Sequence, residues 1–298
     1  MHLLGSEIFQ NAFLAGTVVA LVAAPVGYFL VLRSHAFAGE ALKDVGFAGA
    51  TGAVLLGASS IFGMIVVSLL AALGLGVLSK RIRGRDVEVG MVLSFALGLG
   101  VLFLSIWTHS SAAHASAGVN ILFGSMLSIG RSDLLVALGG SVVIVAALAV
   151  IFRPLLFASI DPAVAEARGV PTRLLSMAFM LILGLTTAST VLVVGVLLVA
   201  ALLVAPAAAA VNLTRSPKAA ILTATLISLG ATWAGLALAF APLGRHLPVG
   251  FTISALTAVA YLVSAALRRA GRRERRDLPP HPSREVGQTD VLPEGRVS

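Results

Sequence analysis

The chain has 298 residues, of which 58% are hydrophobic and 11% are charged, and its mean hydropathy is +1.01. Soluble domains carry about 25% charged residues, so these proportions exclude a soluble fold of this size. The net charge of +8 does not indicate a nucleic-acid partner, because six arginines between residues 268 and 276 supply much of it and follow an apolar segment, as membrane-flanking basic runs do.

Apolar segments long enough to cross a bilayer recur along the chain. A helix rises about 1.5 Å per residue and must cross about 30 Å of hydrocarbon. Hydropathy, with Gly, Pro and charge as boundaries, predicts spans at 11–32, 39–57, 61–79, 88–107, 134–153, 172–188, 191–213, 219–240 and 250–267. The sequence therefore predicts an all-α polytopic transmembrane bundle of about eight or nine spans.

Loop charges predict which side of the membrane each loop faces. With nine spans, 19 of the 21 lysines and arginines lie on one side, and cytoplasmic loops are enriched in these residues. We therefore expect a multi-pass cell-membrane protein with a cytoplasmic C-terminus, whereas an even span count would move only the N-terminus. Residues 271–298 combine charge with four prolines and few apolar residues, which predicts a disordered tail after a transmembrane domain over 1–270.

The second predicted span begins with a charged cluster: Glu40, Lys43 and Asp44. Ionisable residues near a span are functional candidates because they are costly there. Glu40 and Asp44 are four residues apart, so both carboxylates project from one helix face and can bind a hard divalent cation. The alternative is a cluster at the membrane interface, where acidic residues favour a helix N-terminus. The opposite face carries small residues at a spacing that suits close helix packing, namely Gly49, Ala53 and Gly57.

Three histidines lie in predicted external loops. His109 and His114 belong to the longest of these loops, residues 108–133, and His246 precedes the last span. Neutral imidazoles at an external mouth could pass on a borderline metal ion, although ordinary polar loop residues are the simpler interpretation. Cysteine is absent, which excludes thiolate metal sites.

Residues 159–172 predict a short helix in a cytoplasmic loop. Asp161 is a suitable N-cap, Pro162 a first-turn proline, and Gly169 with Pro171 a helix stop, which together specify about two turns. A capped helix in such a loop predicts a binding partner.

Common catalytic motifs are missing from the sequence. None of the three lysines follows a glycine, so the chain has no G-x-x-x-x-G-K-[ST] motif with which to bind ATP. It has no H-E-x-x-H, and Gly124-Ser125 lacks the flanking elements of a serine nucleophile. Any use of ATP must therefore come from another subunit.

Four segments carry a family resemblance. Residues 33–44 read RSHAFAGEALKD, close to R-R-x-S-x-x-G-D-A-[IL]-S-H, and residues 161–171 read DPAVAEARGVP, like a coupling loop. Residues 198–208 contain a match to L-L-[IV]-x-P-A-A, and residues 247–250 a match to P-x-G. Together they resemble the ABC-3 family of manganese, zinc and iron permeases, the membrane subunits of metal importers, over about residues 11–267.

The resemblance implies a homodimeric permease that works with cytoplasmic ATPase subunits and an extracytoplasmic binding protein. It implies that the chain is not itself an enzyme and holds no permanent cofactor, its cargo being a divalent metal ion, zinc or manganese. The helix near 161–169 would be the coupling helix. Its ATPase-coupling residues would be Asp161, Pro162, Ala165, Glu166, Arg168 and Gly169.

The family's metal residues, the Asp and His of G-D-A-x-S-H, align with Glu40 and Asp44. Glutamate keeps an oxygen ligand, whereas Asp in place of His replaces an imidazole by a carboxylate and favours manganese over zinc. Lys43 stands where the family has Ser, and its charge opposes a cation bound beside it.

An alternative function is a secondary transporter or cation channel that works without an ATPase. Such a protein needs a coupling carboxylate deep in the bundle and often an inverted repeat, and neither is visible in the sequence. It would also leave the loop helix without a partner. Co-purification of an ATPase subunit would separate the two hypotheses.

Overall fold

The computed structural model describes residues 7–78, 85–109, 130–240 and 249–276, and every regular element in these ranges is a helix. This confirms the all-α prediction. The elements are α1 (Glu7–Leu32), α2 (Ala36–Leu55), α3 (Ser60–Leu78), α4 (Arg85–His109), α5 (Arg131–Ile160), α6 (Pro162–Ala167), α7 (Thr172–Val194), a 3-10 turn (Val196–Leu198), α8 (Val199–Leu203), α9 (Ala205–Leu213), α10 (Pro217–Phe240) and α11 (Val249–Arg276).

Within the described ranges, seven helices are long and apolar enough to cross a membrane: α1, α3, α4, α5, α7, α10 and α11. Helix α2 has 20 residues, about the length that a span needs, but it carries the charged cluster. The chain is therefore a multi-pass membrane protein. Helix α11 continues to Arg276, beyond the predicted end of the last span and into the range 271–298 predicted as a tail; residues 277–298 lie outside the described ranges.

Helices α1 and α7 form the centre of the bundle. About two thirds of the residues in their apolar stretches (67%) are buried, against 17% to 33% in the other five long helices. Phe29 of α1 meets Phe152 of α5 and Phe179 of α7 edge to face, with ring centroids 5.5 Å and 6.3 Å apart. Many large apolar side chains of α3, α4 and α5 are exposed, which suits contact with lipid tails.

The predicted span 191–213 is wrong as a continuous helix. Helix α7 runs past the expected boundary to Val194 and ends at Gly195, whose φ of +87° lies in the region that favours glycine. A 3-10 turn and the short helices α8 and α9 follow, and Pro206 lies in the first turn of α9. Hydropathy could not locate this break because the residues on both sides of it are equally apolar.

Helices α2 and α3 form a closely packed hairpin. A Cβ atom on Gly49 would lie 2.7 Å from the carbonyl oxygen of Gly63, and one on Gly63 would lie 2.3 Å from the Cβ of Ala53. Only glycine permits this approach, which confirms the predicted packing role of Gly49 and Ala53. Gly57 differs, because it has φ of +75° just after the helix, and a Cβ atom added to it would have no neighbouring atom within 4 Å.

Candidate functional site

A tight reversal between α1 and α2 sets the position of the charged cluster. The amides of Ser34 and His35 donate to the carbonyl oxygens of Val31 and Leu30, at 3.1 Å and 2.9 Å, and close the last turn of α1. Ser34 adopts φ of +55°, which is uncommon for a residue other than glycine. Helix α2 starts immediately afterwards, so the cluster lies within its first three turns.

The ammonium group of Lys43 lies between the two carboxylates of the cluster. Its Nζ donates to Oε1 of Glu40 in a short contact and is 3.5 Å from Oδ1 of Asp44. The side chains of Lys43 and Asp44 are 7% and 4% exposed, whereas that of Glu40 is 35% exposed. The buried part of the cluster is thus an ion pair, and Glu40 is its accessible member.

Glu40 reaches an open groove of about 440 Å³ between α2, the broken segment α8–α9 and α11. Among the described residues that line the groove, Glu40 is the one charged side chain. The others are Ala36, Phe37, Ala200, Val204, Ala205, Ala208 and Tyr261. Sequence reasoning did not place the α8–α9 residues beside Glu40, although their L-L-V-A-P-A-A run was a signal that this segment is unusual.

The histidines do not join the carboxylates in the described part of the chain, which contains no group of three or more His, Asp or Glu residues able to hold a metal ion. His109 is exposed at the end of α4, where its Nδ1 lies 2.7 Å from the carbonyl oxygen of Ser105. His114 and His246 lie outside the described residues. The structure brings Glu40 and Asp44 together and leaves His109 apart from them.

The short helix α6 has the predicted caps. Oδ1 of Asp161 accepts hydrogen bonds from the amides of Ala163 and Val164, at 3.1 Å and 3.0 Å, and Pro162 occupies the first turn. Gly169, with φ of +78°, ends the helix. These caps confirm the predicted short helix over six residues.

Helix α6 is anchored to the bundle on one side and open on the other. Ala165 is fully buried, whereas Asp161, Pro162, Glu166, Arg168 and Gly169 are exposed. Of the six residues that the resemblance assigns to an ATPase contact, Ala165 therefore holds the helix in place. The other five are available at the surface.

A cavity of about 840 Å³ separates α6 from the reversal between α1 and α2. Arg33 crosses one wall of it: its Nη2 donates to Oγ of Ser176 at 2.6 Å, and its guanidinium lies 5.6 Å from the ring centroid of Phe179. Ser176 and Phe179 belong to α7, which follows α6 after a short turn. Arg33 thus joins the turn between α1 and α2 to α7, the helix that follows α6.

A bundle of long apolar helices, with a capped loop helix across a cavity from the turn that leads into the charged helix α2, is the architecture of a polytopic membrane protein and fits a permease. The chain belongs to the ABC 3 transport family, whose sequence model it matches over residues 5–268.

Two curated relatives and one solved structure support this assignment. The chain is 30% identical to the manganese transport system membrane protein MntC of Halalkalibacterium halodurans over 79% of its own length and 80% of the relative's. It is 28% identical to the manganese import system permease protein ScaB of Streptococcus gordonii, over 87% and 90%. The structure of PsaBC from Streptococcus pneumoniae in complex with Fab is similar with a TM-score of 0.76 and 28% identity, over 87% of this chain and 91% of that one.

Proposed function

We propose that this chain is the permease subunit of an ATP-binding-cassette importer that moves a divalent transition-metal ion, manganese or zinc, into the cytoplasm. Family membership over residues 5–268 and relatives named as manganese permeases support the proposal. The observation that carries it is the route from α6 towards the acidic helix: an exposed capped helix lies next to α7, and Arg33, in the turn that leads into α2, donates to Ser176 of α7.

The energy for transport comes from a partner. The sequence has no ATP-binding motif of the P-loop type, so cytoplasmic ATPase subunits hydrolyse ATP and contact α6 through its exposed residues. We expect α6 and the C-terminus to lie in the cytoplasm, because the charge distribution predicts this orientation. An extracytoplasmic binding protein delivers the ion, and a second copy of the chain closes the pathway as a homodimer.

Glu40 and Asp44 provide the metal-facing oxygen atoms of the pathway. Both are carboxylates, and oxygen ligands suit manganese better than zinc, which also binds nitrogen and sulfur readily. Glu40 is the residue that an ion meets from the groove, because it is the more exposed of the two. The ion is cargo and leaves the protein, so no resident cofactor is needed.

A cellular uptake experiment tests the proposal. The chain is expressed with its ATPase and binding-protein subunits in a host that lacks its own manganese importers, and uptake of radioactive manganese is measured. The double variant Glu40→Ala with Asp44→Ala should lose uptake while it inserts normally into the membrane. The matched control is Glu274→Ala, which removes an acidic side chain from α11 and should retain uptake.

Two outcomes contradict different parts of the proposal. Undiminished uptake in the double variant would remove Glu40 and Asp44 from the pathway and leave the importer assignment intact. Manganese uptake by the purified chain in liposomes, without an ATPase subunit or ATP, would instead support a secondary transporter or channel.

A further inference from the structure

We infer that Lys43 is a tethered cation that occupies the position between Glu40 and Asp44, so that a transported ion binds there only by displacing its ammonium group. The inference rests on the proposed function, since it requires the ion to pass these two carboxylates. It assigns to Lys43 a role in setting the affinity of the permease for its cargo.

Geometry is the first support. Nζ of Lys43 contacts Oε1 of Glu40 and lies 3.5 Å from Oδ1 of Asp44, so it is positioned between the two carboxylates. A divalent cation held by both carboxylates needs oxygen atoms at about 2.0–2.6 Å, which places it in the same space. The ammonium group and the ion therefore compete for one position.

Burial is the second support. Lys43 and Asp44 are both almost inaccessible, with 7% and 4% of their side chains exposed. An uncompensated charge in such surroundings is strongly unfavourable, so Asp44 needs a positive partner whenever no ion is bound. Lys43 supplies that partner in the empty permease. A bound ion can take over the same role once the ammonium group has moved away.

The charges of the cluster are consistent with this role. Glu40 and Asp44 contribute two negative charges and Lys43 one positive charge, which leaves a net charge of −1. The motif that residues 33–44 resemble has Asp, Ser and His at these positions, and with a neutral histidine it also carries −1. The lysine thus offsets the carboxylate that replaces the histidine.

The decisive measurement is manganese binding to the purified full-length chain in nanodiscs, by equilibrium dialysis with radioactive manganese. Lys43→Ser should bind manganese at least about tenfold more tightly than the unaltered chain, because close charge pairs have coupling energies of that size or more. Lys43→Arg keeps a tethered positive charge and should therefore bind manganese more weakly than Lys43→Ser. Lys218→Ser removes an exposed lysine at the start of α10 and should leave the affinity unchanged.

A second pair of variants covers the case in which Lys43→Ser does not fold. Lys43→Ser combined with Asp44→His removes the buried carboxylate together with its partner, so the remaining charge is that of the more exposed Glu40. This double variant should bind manganese more tightly than Asp44→His alone, in which the lysine is retained. Size-exclusion chromatography establishes that each variant is folded before binding is measured.

The inference is tested in whichever of the two comparisons yields folded protein. If removal of Lys43 leaves the manganese affinity unchanged there, the inference is overturned. The triple variant Glu40→Ala, Lys43→Ser and Asp44→Ala should lose the gain in manganese affinity that Lys43→Ser produces. If the triple variant still binds manganese tightly, the ion binds elsewhere and the inference is overturned. The uptake experiment on Glu40 and Asp44 is independent of both results, so failure of the inference is distinguishable from failure of the proposed function.

Discussion

Helix α6 and the start of α2 are held in place by different kinds of contact. The caps of α6 join residues that are two or three positions apart, such as Asp161 with Ala163 and Val164. The turn that leads into α2 is joined to α7 by Arg33, which donates to Ser176, 143 positions away in sequence. The first region is a local structure that presents exposed residues, whereas the second is a product of the assembled bundle. The difference implies that a substitution in the α1–α2 turn affects the whole fold, whereas one in α6 has a local effect.

The largest effect is expected from Gly49→Leu at the α2–α3 contact. Even a Cβ atom there would lie 2.6 Å from the Cβ of Val67, so the larger side chain should separate the helices and cost about 3 kcal/mol. Thermal unfolding in detergent measures the loss. Gly74→Leu in α3 is the control, since a Cβ at Gly74 has no atom within 4 Å, and equal losses in both variants would contradict the packing argument.

Arg33→Ala should have the next largest effect. The variant loses a charged hydrogen bond to Ser176 and a contact with the ring of Phe179, so we expect a loss of about 2 kcal/mol in stability and reduced manganese uptake. Ser176→Ala and the double variant complete a mutant cycle in the unfolding experiment. Strictly additive losses would show that the two side chains are not coupled.

A smaller effect is expected from Asp161→Ala, which removes the N-cap of α6. The amides of Ala163 and Val164 lose their acceptor, at a cost of about 1 kcal/mol to this helix. Hydrogen exchange of the α6 amides should accelerate while exchange in α2 stays unchanged. Asp161→Asn retains a capping oxygen and should exchange at nearly the original rate. Faster exchange in both regions would contradict the local character of α6.

The smallest effect on stability, within about 0.5 kcal/mol, is expected from Glu166→Ala with Arg168→Ala, because both side chains are exposed. The same variant should lower the ATPase rate of the reconstituted importer severalfold if α6 contacts the ATPase. Lys218→Ala, another exposed charge removal, is the control. A normal ATPase rate in the α6 variant would place the ATPase contact elsewhere.

Local signals account for what could be predicted of the site. Asp161, Pro162 and Gly169 act on their immediate neighbours, so their spacing was sufficient to predict α6. The four-residue spacing of Glu40 and Asp44 likewise placed both on one helix face. The break at Gly195 could not be predicted from hydropathy. The segment is apolar throughout, and the positive φ of one glycine does not change its hydropathy.

Composition and local spacing determined by themselves that this protein is a helical membrane protein with a capped loop helix and two carboxylates on one helix face, and the permease role came from the family resemblance. The length of an apolar segment and the hydrogen bonds of a helix cap both depend on residues that are close together in sequence, so they can be predicted from the sequence. Only the tertiary structure decided that Lys43 lies between those carboxylates, that Glu40 faces the broken segment α8–α9, and that Arg33 joins the α1–α2 turn to α7. The latter two depend on segments far apart in sequence, and the burial of Lys43 depends on the helices that pack around α2.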